Sequence, residues 1–215
     1  MVTFVMLSHE SRVESRLRSL DSFPLCAVVH IVESAYSGPN PDAEVRARAY
    51  DALTLARGGG LVFLEDDIEV RPDLFQRHVA MAEEADVITA FCAVNKRHYP
   101  PGVLDRDSLP VSLAPIPDYD ADRGFHGSMA VYIPARVVEY AIDRQEEFQE
   151  ADGSPLERPV IPPDFARRKV TGFDFWLKHT ARKFGGMLVA LPNSVNHVSR
   201  HGTWPSLTFH VPVAA

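Results

Sequence analysis

The sequence predicts an α/β fold with a mainly parallel central sheet and helices on both faces. Two observations carry this expectation. Short apolar, β-branched runs alternate with stretches of helical periodicity along most of the chain. One run, Leu61-Val62-Phe63-Leu64, is apolar throughout, as a strand buried on both faces has to be, and parallel sheets covered by helices are built of such strands.

The elements follow in order. Val2 to Leu7 reads as a strand, after which Ser8 caps a helical stretch to about Leu20, with Val13, Leu17 and Leu20 at helical spacing. Cys26 to Val32 is a second strand. The turn-forming Ser37-Gly38-Pro39-Asn40-Pro41 leads into a helix from Asp42 to about Arg57, stopped by Gly58-Gly59-Gly60. Leu61 to Leu64 is the third strand. Pro72 opens a helix through about Ala85, and Val87 to Val94 is the next strand. Between Asn95 and Asp122 five prolines and the lack of any sustained period predict a long surface excursion. Gly127 to Ile133 returns as a strand, Pro134 starts a helix to about Asp143, and Gln145 to Pro163 reads as a loop. A helix from Phe173 to Phe184, the pair Gly185-Gly186 and a strand from Met187 to Leu191 complete the pattern.

Composition bounds what such a chain does. Its 215 residues, 46% hydrophobic and 24% charged, suffice for one sizeable core, so a single domain is expected over residues 1–215. No window approaches the roughly 18 apolar residues of a spanning helix, and Met1-Val2-Thr3-Phe4 does not start like a signal peptide, which predicts a soluble, cytoplasmic protein. Cys26 and Cys92 sit in apolar runs and are expected as buried thiols. The formal charge of -7 argues against non-specific coating of nucleic acid, which requires a basic face. Local basic patches at Arg12-Arg16-Arg18, Arg46-Arg48 and Arg167-Arg168-Lys169 leave room for phosphate contacts.

The chemistry gathers at strand ends, where open α/β sheets bind their ligands. Ser8-His9-Glu10 follows the first strand, Glu33-Ser34 the second, and Glu65-Asp66-Asp67 the third. Three adjacent carboxylates repel one another unless they diverge into water or hold a cation. Hard oxygen donors favour magnesium or manganese, ions that commonly bridge a carboxylate to a diphosphate. A solvated acidic turn is the alternative.

The run Leu61 to Asp67 resembles the metal-binding motif of GT-A-type glycosyltransferases in its Glu-Asp-Asp form, and the resemblance extends in order from residue 2 to about 200. Thr3 to Leu20 is similar to the family's first strand-helix unit, Gly127 to Tyr132 to its sugar- and acceptor-side strand, Gly172 to Leu177 to the helix start where inverting members place a base, and Leu191 to His197 to a late loop whose histidine can complete the metal site. One departure is plain: the Arg-Asn pair often found before the acidic strand is absent, since Ala49 follows Arg48.

The resemblance implies a Rossmann-like nucleotide-sugar-binding half over 1–94 and an acceptor-side half with a C-terminal lid over 95–215. It further implies a nucleotide-diphospho-sugar donor, a UDP-sugar favoured, with Mn2+ or Mg2+. Asp67 and His197 would ligate the metal, with Arg200 and His201 as substitutes in a lid from Ser199 to Trp204. Ser8, Glu10, Arg12, Glu33, Arg46, Arg48, Glu65, Asp66, Gly127 and Ser128 would line the donor, and His126 would reach sugar or phosphate. Asp174 would be the general base of an inverting transfer, beside Phe173, Phe175 and Trp176, which either form an acceptor platform or pack. The acceptor hydroxyl stays open among a saccharide, a small molecule, a protein side chain and a hydroxymethylated DNA base. A metal-dependent nucleotidyltransferase or phosphohydrolase and a non-catalytic nucleotide-sugar-binding module are the alternatives.

Overall fold

The computed structural model describes residues 1–24, 27–34, 41–92, 110–116, 130–156 and 172–197, the side chains of residues 41, 42, 175 and 197 excepted. Expectations on Cys26, His126, Gly127, Ser128, Arg167, Arg168, Lys169 and the segment from Ser199 to Trp204 lie outside the described residues.

The chain runs β1 (Val2–His9), α1 (Val13–Asp21), β2 (Val29–Ser34), α2 (Pro41–Leu55), β3 (Gly60–Glu65), β4 (Ile68–Val70), α3 (Pro72–Ala85), β5 (Ile88–Ala90), β6 (Ser112–Pro115), β7 (Ala130–Ile133), α4 (Ala135–Ile142), α5 (Phe173–Lys183), β8 (Met187–Leu191) and β9 (Val195–His197). Among the described residues seven strands form one sheet in the order β2-β1-β3-β7-β5-β8-β6, while β4 and β9 pair as a separate ribbon. Parallel pairing joins β1 to β2, β1 to β3 and β5 to β8; β7 is antiparallel to both β3 and β5, and β6 to β8. Hence β1, β2, β3, β5 and β8 share one direction and β6 and β7 oppose it, an α/β sheet that is mainly parallel by strand direction.

Both faces are covered, as the uniformly apolar third strand requires. On one face Val5, Leu7, Leu61 and Phe63 pack with Leu53 of α2, Val137 of α4 and Leu177 of α5. On the other, Met6, Val62 and Leu64 pack with Phe75 and Val79 of α3 and with Ile68 and Val195 of the ribbon. The residues of β3 therefore alternate between two cores. Gly60 permits one close approach in this packing: a Cβ there would lie 2.8 Å from the Tyr132 ring. Cys92 is a buried thiol, as expected.

Several boundaries and contacts differ from the expectation. β2 is Val29–Ser34, shifted toward the C-terminus, and β5 is three residues long. Ser112–Pro115 is a strand inside the proline-rich stretch, added antiparallel at the sheet's edge, where a proline costs few ladder hydrogen bonds. β4 and β9 are three residues each, too short to carry a period. Ser8 lies within β1 rather than capping α1, whose N-cap is Arg12. Val13 and Leu17 are 45% and 54% exposed, so the apolar spacing of α1 does not mark its inner face. No helix among the described residues is long and apolar enough to cross a membrane.

Candidate functional site

Strand register sets the site. Leu7 pairs with Glu65 and Ser8 with Glu33, so the ends of β1, β2 and β3 bring Ser8-His9, Glu33-Ser34 and Glu65 to one edge of the sheet. Asp66 and Asp67 form the turn from β3 into β4.

Asp66 is 2% exposed and is held from three directions. Its Oδ2 accepts hydrogen bonds from the Ser8 hydroxyl and the His9 backbone N–H, both at 3.0 Å, and its Oδ1 accepts one from Arg12 Nη1, also at 3.0 Å. Three donors on one carboxylate satisfy most of what an ionised group demands when buried. Asp67, 4% exposed, accepts from the same Arg12 Nη1 through Oδ2 at 3.2 Å. Burial alone would lower the pKa of Arg12, but the carboxylates of Asp67, Asp66 and Glu65 outweigh it and hold the guanidinium above its ordinary value.

Helix α1 fixes the main chain of this turn. The buried Ser19 hydroxyl lies 2.9 Å from the Asp66 carbonyl and 2.6 Å from that of Ile68, and accepts the Ile68 N–H at 3.1 Å. It has one proton, so it donates to one of these carbonyls at a time. Ser22 Oγ accepts the Val70 N–H at 2.9 Å. Neither serine was singled out in the sequence, although Ser15, Ser19 and Ser22 fall at i, i+4 and i+7, a small polar stripe that would have signalled the inner face.

Two distant parts of the chain reach this edge. Antiparallel pairing of β9 with β4 sets the backbone of His197 opposite Ile68, the residue after Asp67. The loop before β9 is pinned by the Ser194 N–H to the Phe91 carbonyl at 3.2 Å and by the Arg71 N–H to the Ser194 carbonyl at 3.0 Å. Asp174 lies in the first turn of α5. This helix precedes β8, which runs with β3, so its N-terminus is at the carboxyl edge of the parallel strands. The Phe173 ring meets that of Phe63, two residues before Glu65, at 5.0 Å. Phe173 and Trp176 are buried, and the Trp176 indole donates to Glu147 at 2.9 Å, so both pack rather than form an open platform.

Glu33, Glu10, Arg46 and Arg48, also expected at the donor, meet other groups of the protein. Glu33 is in an ion pair with Arg16. Glu10 is exposed, with its N–H on the Ser34 carbonyl at 3.1 Å. Arg46, expected at the diphosphate, is 2% exposed and donates to the Leu156 carbonyl at 3.1 Å, a guanidinium held by the protein rather than offered to solvent. Arg48 pairs along its own helix with Asp51 at 2.6 Å and Glu44 at 3.5 Å.

No protein-family model and no curated protein matches the chain. Among the solved structures similar to it are two matched over much of their length. One is A197 from STIV, with 12% identity and a TM-score of 0.42, covering 93% of this chain and 98% of the other. The second is a glycosyltransferase involved in the glycosylation of the major capsid of PBCV-1, with 11% identity and a TM-score of 0.45, covering 87% of this chain and 81% of the other. At such identities the chemistry has to be read from this chain's own residues.

A hard divalent cation could take oxygen from Asp67 here and would have to complete its shell elsewhere. Asp67 supplies carboxylate oxygen at the sheet edge, and β9 carries His197 to the adjoining backbone position. Manganese or magnesium takes one or two protein ligands together with phosphate oxygens and water. Among the described residues no group of three His, Cys, Asp or Glu that could hold a metal ion is present.

Proposed function

We propose that this protein is a metal-dependent glycosyltransferase that moves a hexose from a nucleotide-diphospho-sugar, a UDP-sugar favoured, to a hydroxyl acceptor with inversion at the anomeric carbon. One observation supports the reading above all others: the acidic turn, the Ser8–Arg12 segment and the backbone of His197 gather at the carboxyl edge of the parallel strands, the edge at which α5, with Asp174 in its first turn, begins. Convergence of distant segments at that edge is what a ligand site of an α/β sheet requires.

The roles follow from the chemistry of each group. Asp67 and His197 would hold Mn2+ or Mg2+, which when bound offsets the negative charge that builds on the leaving diphosphate. Asp66 braces the turn and aims Asp67. Glu65, one residue earlier and partly buried, is the acid left to meet the ribose. Asp174 takes the acceptor's proton as the hydroxyl oxygen attacks the sugar from the face opposite the departing diphosphate. Residues 1–94 form the donor half and 95–215 the acceptor half, within a protein that works in the cytoplasm. The acceptor is a hydroxyl of a saccharide, a small molecule, a protein side chain or a modified DNA base.

Calorimetry with UDP- and GDP-sugars, with and without manganese, tests the reading. Wild type should bind a UDP-sugar only with the metal present, and Asp67→Ala should lose that dependence together with most of the affinity. Failure of wild type to bind any nucleotide-sugar would sink the proposal.

A further inference from the structure

We infer that the open edge of β2 is where two copies of this chain associate, their β2 strands pairing antiparallel about Ile31 so that the two sheets become one. The inference does not depend on the transferase reading. Among the described residues the sheet ends in β2 on one side and β6 on the other, and the two ends differ. β6 is four residues long, follows Pro110 and closes on Pro115, and proline at an edge discourages a further strand. β2 pairs with β1 in unbroken register along all six of its residues and carries neither proline nor lysine. It is an edge left without the usual protection.

The outward backbone groups of β2 are self-complementary. The Ser34 carbonyl accepts the Glu10 N–H, so Ser34, Val32 and His30 turn their backbone groups to β1, while Val29, Ile31 and Glu33 turn theirs outward. In an antiparallel pair centred on Ile31, that residue faces Ile31 of the second copy and Val29 faces Glu33. Each of these pairs exchanges two hydrogen bonds, so the three outward N–H groups and the three outward carbonyls of each copy are all satisfied. Charge permits the same pairing. At a formal charge of -7 two copies repel, which favours contact where little unpaired charge is exposed. Glu33 is in an ion pair with Arg16, and the Ile31 register sets Val29 opposite Glu33 and Val32 opposite His30, with no like charges face to face. Apolar surface collects at the same edge. Val29, Ile31 and Glu33 point to the face that α1 covers, since Val29 and Leu20 pack on one core and Glu33 meets Arg16. Ser19 and Ser22 hold one flank of α1 on the ribbon, which leaves Val13 and Leu17 on the opposite flank, toward the β2 edge. Val13, Leu17 and Ile31, with Val28 just before the strand, are four of the six large apolar side chains exposed among the described residues. A two-fold axis normal to the sheet keeps both α1 helices on one face, so this surface meets its own equivalent in the second copy.

The test is sedimentation velocity of the full chain from about 1 to about 100 μM, for wild type and Ile31→Lys. Wild type should reach a dimer in that range. Ile31→Lys sets two ammonium groups opposite each other and should raise the dissociation constant at least about tenfold, with an unchanged circular dichroism spectrum. Oxidation reads the register. In a Cys26→Ser background, Ile31→Cys should cross-link two copies, because residues paired on the axis have Cα atoms about 5.5 Å apart, within disulfide reach. Val32→Cys, which faces His30, should not. A wild type that stays monomeric at about 100 μM overturns the inference, as does a dimer that Ile31→Lys leaves intact or one that Val32→Cys cross-links and Ile31→Cys does not. Should Ile31→Lys fail to fold, the two cysteine variants decide. A monomer whose Ile31 N–H exchanges slowly has this edge covered by other parts of its own chain, and that outcome is equally fatal.

Discussion

Asp66 and Asp67 are neighbours in sequence and share Arg12 Nη1, and under the proposed function they divide the work of brace and ligand. Asp66 accepts from Ser8, His9 and Arg12, and Asp67 accepts from the same Arg12. An amide at Asp66 would oppose one of its donors and leave Arg12 without half its pairing. Asp66→Asn should therefore cost about 3 kcal/mol in urea unfolding, clearly more than Asp67→Asn. A larger loss for Asp67→Asn would reverse the assignment of brace and ligand. For Asp174, the expected outcome of Asp174→Asn is loss of turnover with donor affinity nearly unchanged, checked by kcat and by calorimetry on one preparation. The triplet was legible as an acid cluster from charge repulsion alone. Which acid is tied down was not, since adjacent carboxylates read alike until the backbone turns them apart.

At the scale of the element, α1 is held by serines as well as by Leu20, which packs against the core. Ser19 meets the Asp66 and Ile68 carbonyls and the Ile68 N–H inside the protein, while Val13 and Leu17 face outward. Ser19→Ala leaves buried polar groups unpaired and should cost roughly 1–3 kcal/mol. A thermal shift within error of wild type would show that α1 does not hold the acidic turn. Helix α3 makes the complementary point. His78 is fully buried, with Nε2 3.4 Å from the Leu191 carbonyl, and its pKa is pushed down to about 4, chiefly by burial, with the charges of Arg77 and Arg71 adding to the effect. The folded state thus favours the neutral ring. Stability from His78 is fully present above the ordinary value of 6.5 and is lost as pH falls toward about 4, because the unfolded chain takes up the proton first. Urea midpoints should fall over that window, and less steeply in His78→Gln; parallel pH profiles would rule His78 out. The extent of α3 was legible because Pro72 and a sustained period mark it, whereas β4 and β9 were not, because three residues carry no period.

For the whole molecule, the middle of the seven-stranded sheet is where the two cores meet. β1, β3 and β7 have neighbours on both edges and helices or ribbon on both faces, whereas among the described residues β2 and β6 are edges. In dilute, monomeric protein amide hydrogen exchange should be slowest in β1, β3 and β7 and faster in β2 and β6, and a protected β6 would contradict its place at the rim. The sequence by itself determined the class of fold and the location of the acids. A uniformly apolar run admits burial on both faces only, and carboxylates that follow it must lie where the strand leaves the sheet. Tertiary structure decided the rest: the reversal of β7 between β3 and β5, the β4–β9 ribbon that sets His197 opposite Ile68, and the guanidinium of Arg12 lying across Asp66 and Asp67. Each depends on segments far apart in the chain, and a local pattern reports the period and polarity of its own segment without naming the partner that segment will meet.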